Sequence, residues 1–289
     1  MILSAKSRTP SPPTRAELIA QLVEVGLAGA VATPRANSLE HFQRVADGDP
    51  DFLLGLDLDR RWSFERVRAL MAERSGAPPD TADPGGPDFI DPERTVDALD
   101  RMAARLRRAG ADRDTVLLAT GHPGGLLGTH LAIGRMLVAS GAELVTVPAG
   151  TAAGPADVRQ LDGVASLHYG GGLQHTHSPD WMGLVLDRLD AAEHPLPDLV
   201  VADHGWAGCA GRRGIDTVCF ADCNDPALFV AEAEGAVLVT VPIEDNLPFA
   251  CYEPMNAYLA AAVDGPGSPD EPGATAGSGL DAQGGAGQG

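Results

Sequence analysis

The 289-residue sequence predicts an α/β fold: a three-layer sandwich with a mostly parallel sheet and a helical N-terminal region. Three observations predict it. Short, fully apolar runs of strand type recur from Thr115 onward, helical segments separate several of them, and residues 14–75 carry helix signals. Fully apolar short strands alternating with helices indicate a parallel sheet covered on both faces.

Thr14 opens the first helix. Thr14-x-x-Glu17 is a capping box, and Leu18, Leu22 and Val25 follow at helical spacing before Gly26. A second helix is expected over 38–47. A third is expected from Ser63, where Trp62 and Val67 have the spacing of a hydrophobic staple. Residues 76–90, rich in Pro, Gly and Asp in their first half, read as a loop or linker. Asp91-Pro92 then places an N-cap before Pro at the first helical position, and Val96, Leu99, Met102, Ala103 and Leu106 form that helix's apolar face. The α/β body is expected over 91–263. Its strands are expected at 115–120, 143–147, 164–168, 199–202, 217–221 and 237–241, and its helices at 125–140, 179–192, 226–234 and 253–263. Residues 1–13 and the Gly-rich 264–289 carry too little apolar surface to order themselves and are expected to be disordered.

Composition narrows the function. The formal charge is -19, with 40 acidic residues against 21 basic ones, and Lys6 is the single lysine. A broad nucleic-acid surface needs a basic footprint, and an anionic membrane surface needs the same, so neither partner is expected. Schiff-base chemistry and a lysine-bearing phosphate loop are excluded for want of a lysine in the body. Residues 1–13 hold no long apolar run and no stretch of about 18 apolar residues occurs, so a signal peptide and a membrane span are not expected. The four cysteines form no CxxC pair and read as reduced, mostly buried thiols of a cytoplasmic protein.

The chemistry-bearing residues cluster where strands are expected to end, which is where open α/β sheets bind ligands. Gly121-His122-Pro123-Gly124-Gly125 follows one strand, Asp203-His204-Gly205-Trp206-Ala207-Gly208 another, Asp222-Cys223-Asn224-Asp225-Pro226 a third, and Glu244-Asp245-Asn246 a fourth. His175-Thr176-His177-Ser178-Pro179 lies between them. The amides of 121–125 at a helix start can cradle an anion, or the loop is only a tight turn. His175 and His177, two apart on an extended segment, face the same way and suit metal or phosphate, unless they are simply satisfied loop residues. Asp225 before Pro226 reads first as an N-cap and then as a ligand, whereas no cap explains Asp222. Asp203 can present its carboxylate to a metal or a reacting group. With no lysine available, anion recognition falls to arginine, and Arg35, with Asn37 nearby, is the candidate in Ala32-Thr33-Pro34-Arg35-Ala36-Asn37.

The 121–127, 175–179, 203–208 and 221–229 motifs, with Ala32-Thr33-Pro34-Arg35, resemble a bacterial, largely actinobacterial family labelled phosphatase. The resemblance covers about residues 14–260 and implies cytoplasmic hydrolysis of a phosphate ester, without identifying the substrate. A fainter similarity runs to the metal-dependent damage-control phosphatases, in which an Asp-Asn pair ends one strand and an Asp ends a later one. Asp203-His204 and Asp222 stand in comparable places, with His204 in place of the amide and no counterpart of that family's lysine. Zinc-dependent sugar deacetylases do not match, because His122-Pro123-Gly124-Gly125 lacks their carboxylates. Haloacid-dehalogenase-type phosphatases do not match either, because Asp57-x-Asp59 lacks strand context.

The resulting expectation is a phosphoric monoester hydrolase acting on a small phosphorylated metabolite with a divalent metal, Mg or Mn. Asp203, Asp222, Asn224 and Asp225 are the expected ligands. Asp203, His204 and His122 are the expected catalytic residues, with either histidine as the general acid. Gly121, Gly124, Gly125, Arg35, Asn37, His175 and His177 are the expected substrate contacts. A lyase or cyclase on a small carboxylated substrate, and a non-enzymatic phosphometabolite sensor, are the alternatives. The sequence leaves the oligomeric state open.

Overall fold

The computed structural model describes residues 11–58, 61–80 and 83–265. The expectations of disorder for 1–10 and 266–289, and the residues Lys6 and Asp59, lie outside the described residues.

Sequence-local signals set the front of the chain. Thr14 caps α1 (Arg15–Glu24) in the capping box with Glu17. Strand β1 (Gly29–Pro34) follows and pairs antiparallel with β2 (Pro87–Ile90), so the front is not purely helical and the expected linker ends in a strand. The strand was hidden because Gly29-Ala30-Val31-Ala32-Thr33-Pro34 is short, built of small residues, and alternates buried and exposed positions. Helices α2 (Arg35–Asp47) and α3 (Phe64–Arg74) come next. The first begins three residues before the expected start at Ser38, which puts Arg35 and Asn37 in its first turn.

The body begins with α4 (Pro92–Asp112), capped by Asp91, then β3 (Thr115–Thr120) and α5 (Pro123–Ser140). A short β4 (Glu143–Leu144) pairs parallel to β3. Next comes an antiparallel excursion: β5 (Ala152–Ala153), β6 (Ala156–Leu161), β7 (Val164–Tyr169) and β8 (Gly172–Leu173). Helix α6 (Asp180–Ala191) leads to β9 (Leu199–Asp203) and α7 (His204–Arg212), then β10 (Thr217–Ala221) and α8 (Pro226–Glu234). Strand β11 (Val239–Pro242), a 3-10 turn (Phe249–Tyr252) and α9 (Glu253–Asp264) complete the described chain.

The strand order is β11-β10-β9-β3-β7-β6-β5, parallel from β11 to β7 and antiparallel beyond. Period-two alternation fills both faces. Val116, Leu118, Leu199 and Val201 pack toward α1, α4, α5 and α9 through residues such as Leu22, Leu99, Ile133 and Leu259. Leu117, Ala119, Val200 and Ala202 pack toward α2, α3, α6, α7 and α8 through Phe42, Met71, Leu186, Trp206 and Phe229. The fold is therefore the expected three-layer sandwich. After β3 the chain builds β4 and β7 on one side, then crosses to add β9, β10 and β11 on the other. The crevice between the carboxyl ends of β3 and β9 is thus a topological switch point, where such sheets bind ligands.

Candidate functional site

The site is built where parallel neighbours end level with one another. Phe220 pairs with Asp203 and Ala221 with Pro242, so Asp203, Asp222 and Glu244 emerge at one edge. The turn out of β9 is sharp. Asp203 is extended (φ -143°) and His204, a non-glycine residue and the first of α7, takes φ +46°. Such left-handed strain is held only where the surroundings over-determine it.

Three glycines let other loops close on this edge. A Cβ on Gly121 would lie 2.4 Å from the Thr176 carbonyl oxygen, and one on Gly205 would lie 2.1 Å from that of His177. The 175–179 strap is thus pressed against bare backbone on both strand-end turns, and Thr176 N–H donates to the Gly121 carbonyl at 2.8 Å. A Cβ on Gly125 would lie 2.1 Å from the Asp245 carbonyl oxygen, so the third loop closes in the same way.

The result is a cavity of about 410 Å³ lined by Ala32, Thr33, Pro34, Asn37, His41, His122, His175, His177, His204, Asp222, Asn224, Asp225, Glu244, Asp245 and Asn246. Among the described residues, the lining contains five histidines and four carboxylates but neither Lys nor Arg. The His122 and His175 rings stack with centroids 4.3 Å apart, and His177 lies 4.3 Å from His204. His175 and His177 approach through their Nε2 atoms at 3.0 Å.

Behind the cavity, Asp203 is fully buried and its oxygens are all engaged. Oδ1 accepts from Gly121 N–H at 2.7 Å and from His204 Nδ1 at 2.9 Å, while Oδ2 accepts from His130 Nε2 at 3.0 Å. A carboxylate only accepts, so His204 carries its proton on Nδ1 and turns Nε2 toward the cavity. There Nε2 lies 3.4 Å from Asp225 Oδ2 and 3.4 Å from Asp245 Oδ2. Burial alone would lower the His204 imidazole, but the carboxylates of Asp225, Asp203 and Asp245 outweigh it and hold it at about 10. Burial raises Asp222 well above the ordinary carboxylate value, with Asp245 and Glu244 adding to the rise. Burial likewise raises Asp225, to about 6, against the pull of His204. At the mouth, desolvation and the neighbouring imidazoles hold His175 and His177 below the usual histidine value.

The front of the chain closes the cavity. Thr33 donates its hydroxyl to Asp222 Oδ2 at 2.6 Å and its amide to Glu244 Oε2 at 3.0 Å. His41 Nδ1 donates to the Asn224 carbonyl at 2.6 Å, leaving Nε2 to accept from Asn37 Nδ2 at 3.2 Å. Asn224 Nδ2 in turn donates to Asn37 Oδ1 at 2.6 Å.

Donor groups for a cation are present. His122, His175 and His204 can each offer a nitrogen within 4.8 Å of one another. So can His177 and His204 with an Asp225 oxygen, and so can the oxygens of Asp222, Glu244 and Asp245. The residues also pass a test of fit. His122 Nδ1 is buried and makes no hydrogen bond; it lies 3.3 Å from Asp245 Oδ1, at ion-pair distance. Four carboxylates within 7% of full burial line the cavity with no Lys or Arg beside them among the described residues, a donor set that a cation would complement.

Of the residues singled out in the sequence, the fold gathers Asn37, His122, His175, His177, His204, Asp222, Asn224 and Asp225 around the cavity. Asp203 does not line the cavity: it is fully buried behind His204, bonded to Gly121, His204 and His130. Arg35 is turned away from the cavity: it is 3% exposed, pairs with buried Asp88 at 3.1 Å and donates to the Pro78 carbonyl. Gly121, Gly124 and Gly125 do not line the cavity, and the amides of Gly121 and Gly125 are used internally by Asp203 and the His122 carbonyl. Asp225 sits at the N-cap of α8 but makes no capping bond, because its carboxylate faces His204 instead.

Sequence reasoning assigned no role to Thr33, His41, His130, Glu244 or Asp245. Glu244-Asp245 had the same strand-end signal as the other loops. His41 stands four residues after Asn37 on one helix face, a spacing that brings side chains together.

Fold and site together define a doubly wound α/β protein with a histidine–carboxylate cavity at its switch point. The family model named Phosphatase matches residues 13–265, and the chain belongs to that family. It is 50% identical over 252 residues to Phosphatase SCO2771 of Streptomyces coelicolor, covering 86% of this chain and 96% of that protein. No helix among the described residues is long and apolar enough to cross a membrane.

Proposed function

We propose that the chain is a phosphatase that uses a divalent cation in the 410 Å³ cavity to hydrolyse a small phosphorylated metabolite. The observation that carries this reading is the lining itself: histidines and carboxylates with no Lys or Arg. A bare carboxylate cluster repels a phosphate, so a phosphate can be accepted there only with cations in place. His122, His175, His177, His204, Asp225 and Asp245 are the residues that would hold a cation. When bound, it would neutralise charge on the phosphoryl oxygens and lower the pKa of water. The mixed nitrogen and oxygen donors suit Mn or Zn, and an all-oxygen set suits Mg or Mn.

The protein's own groups supply order. Asp203 fixes the His204 tautomer and ring direction, as a carboxylate behind a ligating histidine does. Thr33 holds the Asp222 and Glu244 oxygens in place from the front strand. Asn37, fixed by His41 and Asn224, offers its amide at the cavity rim. A cavity of this volume takes a metabolite-sized substrate rather than a folded partner.

The test is phosphate release from a panel of small phosphomonoesters by the full chain supplied with Mn, compared with an Asp245→Asn variant. We expect Mn-dependent release by the native chain and a fall of at least 100-fold in the variant. Equal rates in the two proteins, or a ligand-induced melting shift without phosphate release, would overturn the assignment.

A further inference from the structure

We propose that the cavity holds two divalent cations at chemically different positions: a nitrogen-rich one around His204 and an all-oxygen one at Asp222, Glu244 and Asp245, with Asp245 shared between them. This deepens the reading of the cavity as a cation site and rests on it.

The donor groups separate into two loci. Both histidine-containing groups include His204. Its Nδ1 is committed to Asp203, so only Nε2 is available and the two groups describe one locus. The third group, Asp222, Glu244 and Asp245, shares no residue with either. Asp245 nevertheless touches both loci: Oδ2 lies 3.4 Å from His204 Nε2, and Oδ1 lies 3.3 Å from His122 Nδ1.

Two further observations point to a ligand at the oxygen locus. His122 is 7% exposed, and its Nδ1 makes no hydrogen bond while facing Asp245 Oδ1 at 3.3 Å, at the edge of the triad. Charge gives the second. Asp203 is hydrogen-bonded from behind by His130 and His204, but Asp222, Asp225, Glu244 and Asp245 line the cavity with no Lys or Arg among the described residues. A cation at each locus would complement the carboxylates that face it, with Asp245 between the two.

The oxygen locus is also preorganised. Thr33 donates to Asp222 Oδ2 and Glu244 Oε2, Cys223 N–H to Asp222 Oδ1, and Asn246 N–H to Glu244 Oε1. Carboxylate oxygens carry two lone pairs each, so these bonds aim the group and leave acceptor capacity. Three hard oxygens suit Mg or Mn, while imidazoles with one carboxylate suit Zn or Mn. Paired cations are a recurring arrangement for phosphoryl chemistry, one serving the attacking oxygen and the other the leaving oxygen.

Manganese is accepted by both donor sets, so it is the probe. The full chain, stripped with chelator, is dialysed against saturating Mn and its metal content measured per chain. Circular dichroism checks the fold of each variant. We expect two equivalents in the native chain, one in Asp222→Asn and one in His177→Ala. One equivalent in the native chain would overturn the two-cation proposal and leave the phosphatase reading standing. Two equivalents in Asp222→Asn would also overturn it. No bound Mn would overturn both. If a variant fails to fold, the native stoichiometry still decides.

Discussion

Two buried charged residues show how position decides role. Asp203 and Arg35 both stand beside the site in sequence, yet neither touches the cavity. Asp203 acts through His204: its carboxylate fixes which imidazole nitrogen faces inward. Replacing Asp203 with Asn keeps the shape but lets the amide present a donor to the ring. Loss of a carboxylate behind a ligating histidine costs about 10–100-fold in metal affinity or activity. We therefore expect Asp203→Asn to weaken Mn binding by that factor while retaining a native circular-dichroism spectrum; an unchanged Mn affinity would contradict the positioning role. Arg35 is the opposite case, a charge used for stability. Removing it leaves Asp88, 0% exposed, without its partner. Breaking a buried ion pair costs about 3–5 kcal/mol. Urea unfolding of Arg35→Met should show a loss of that size, with KM of the folded fraction unchanged. A raised KM at unchanged stability would instead place Arg35 on the substrate.

At the scale of elements, the site depends on close backbone contact between loops and helix starts. The His177 carbonyl sits where a side chain at position 205 would be, only 2.1 Å from its Cβ. Overpacking of this kind costs about 1–3 kcal/mol. Gly205→Ala should therefore lower the melting temperature and weaken metal binding together, because the displaced strap carries both His175 and His177. A melting shift with metal affinity intact would show that the strap does not position those rings. This contact also explains what the sequence concealed. Helix α7 contains Gly205, Gly208 and Gly211, poor helix formers, and reads as a loop until the packing around it is known. The strand-end loops were legible because apolar runs ended in Asp, His and Asn, and the parallel sheet brought them to one edge. Arg35 was misread because helix α2 begins earlier than its apolar pattern, which turns the guanidinium toward Asp88. The β6–β7 hairpin was legible but overlooked. Leu161 pairs with Val164 across Asp162-Gly163, with φ of +45° and +89°, the residues and angles of a two-residue hairpin turn.

Across the whole molecule, the acidic balance acquires a local meaning. The formal charge is -19, and the cavity concentrates part of the acidic excess where cations could use it. Binding there links metal to stability, since the unfolded chain cannot present the eight side chains of the cation-binding groups together. A ligand at 100 times its dissociation constant stabilises by about 2.7 kcal/mol per site. The chelated chain should accordingly melt lower than the Mn-loaded one in calorimetry; identical melting curves would contradict a cation site in the native fold. The central claim is that this cavity is a cation-dependent phosphatase site. It is tested most directly by following inorganic phosphate released from small phosphomonoesters by the chelator-stripped chain, before and after Mn is restored. The account predicts no release from the stripped protein and recovery on adding Mn. Release that persists undiminished without metal, or none after Mn is restored across the panel, would contradict it.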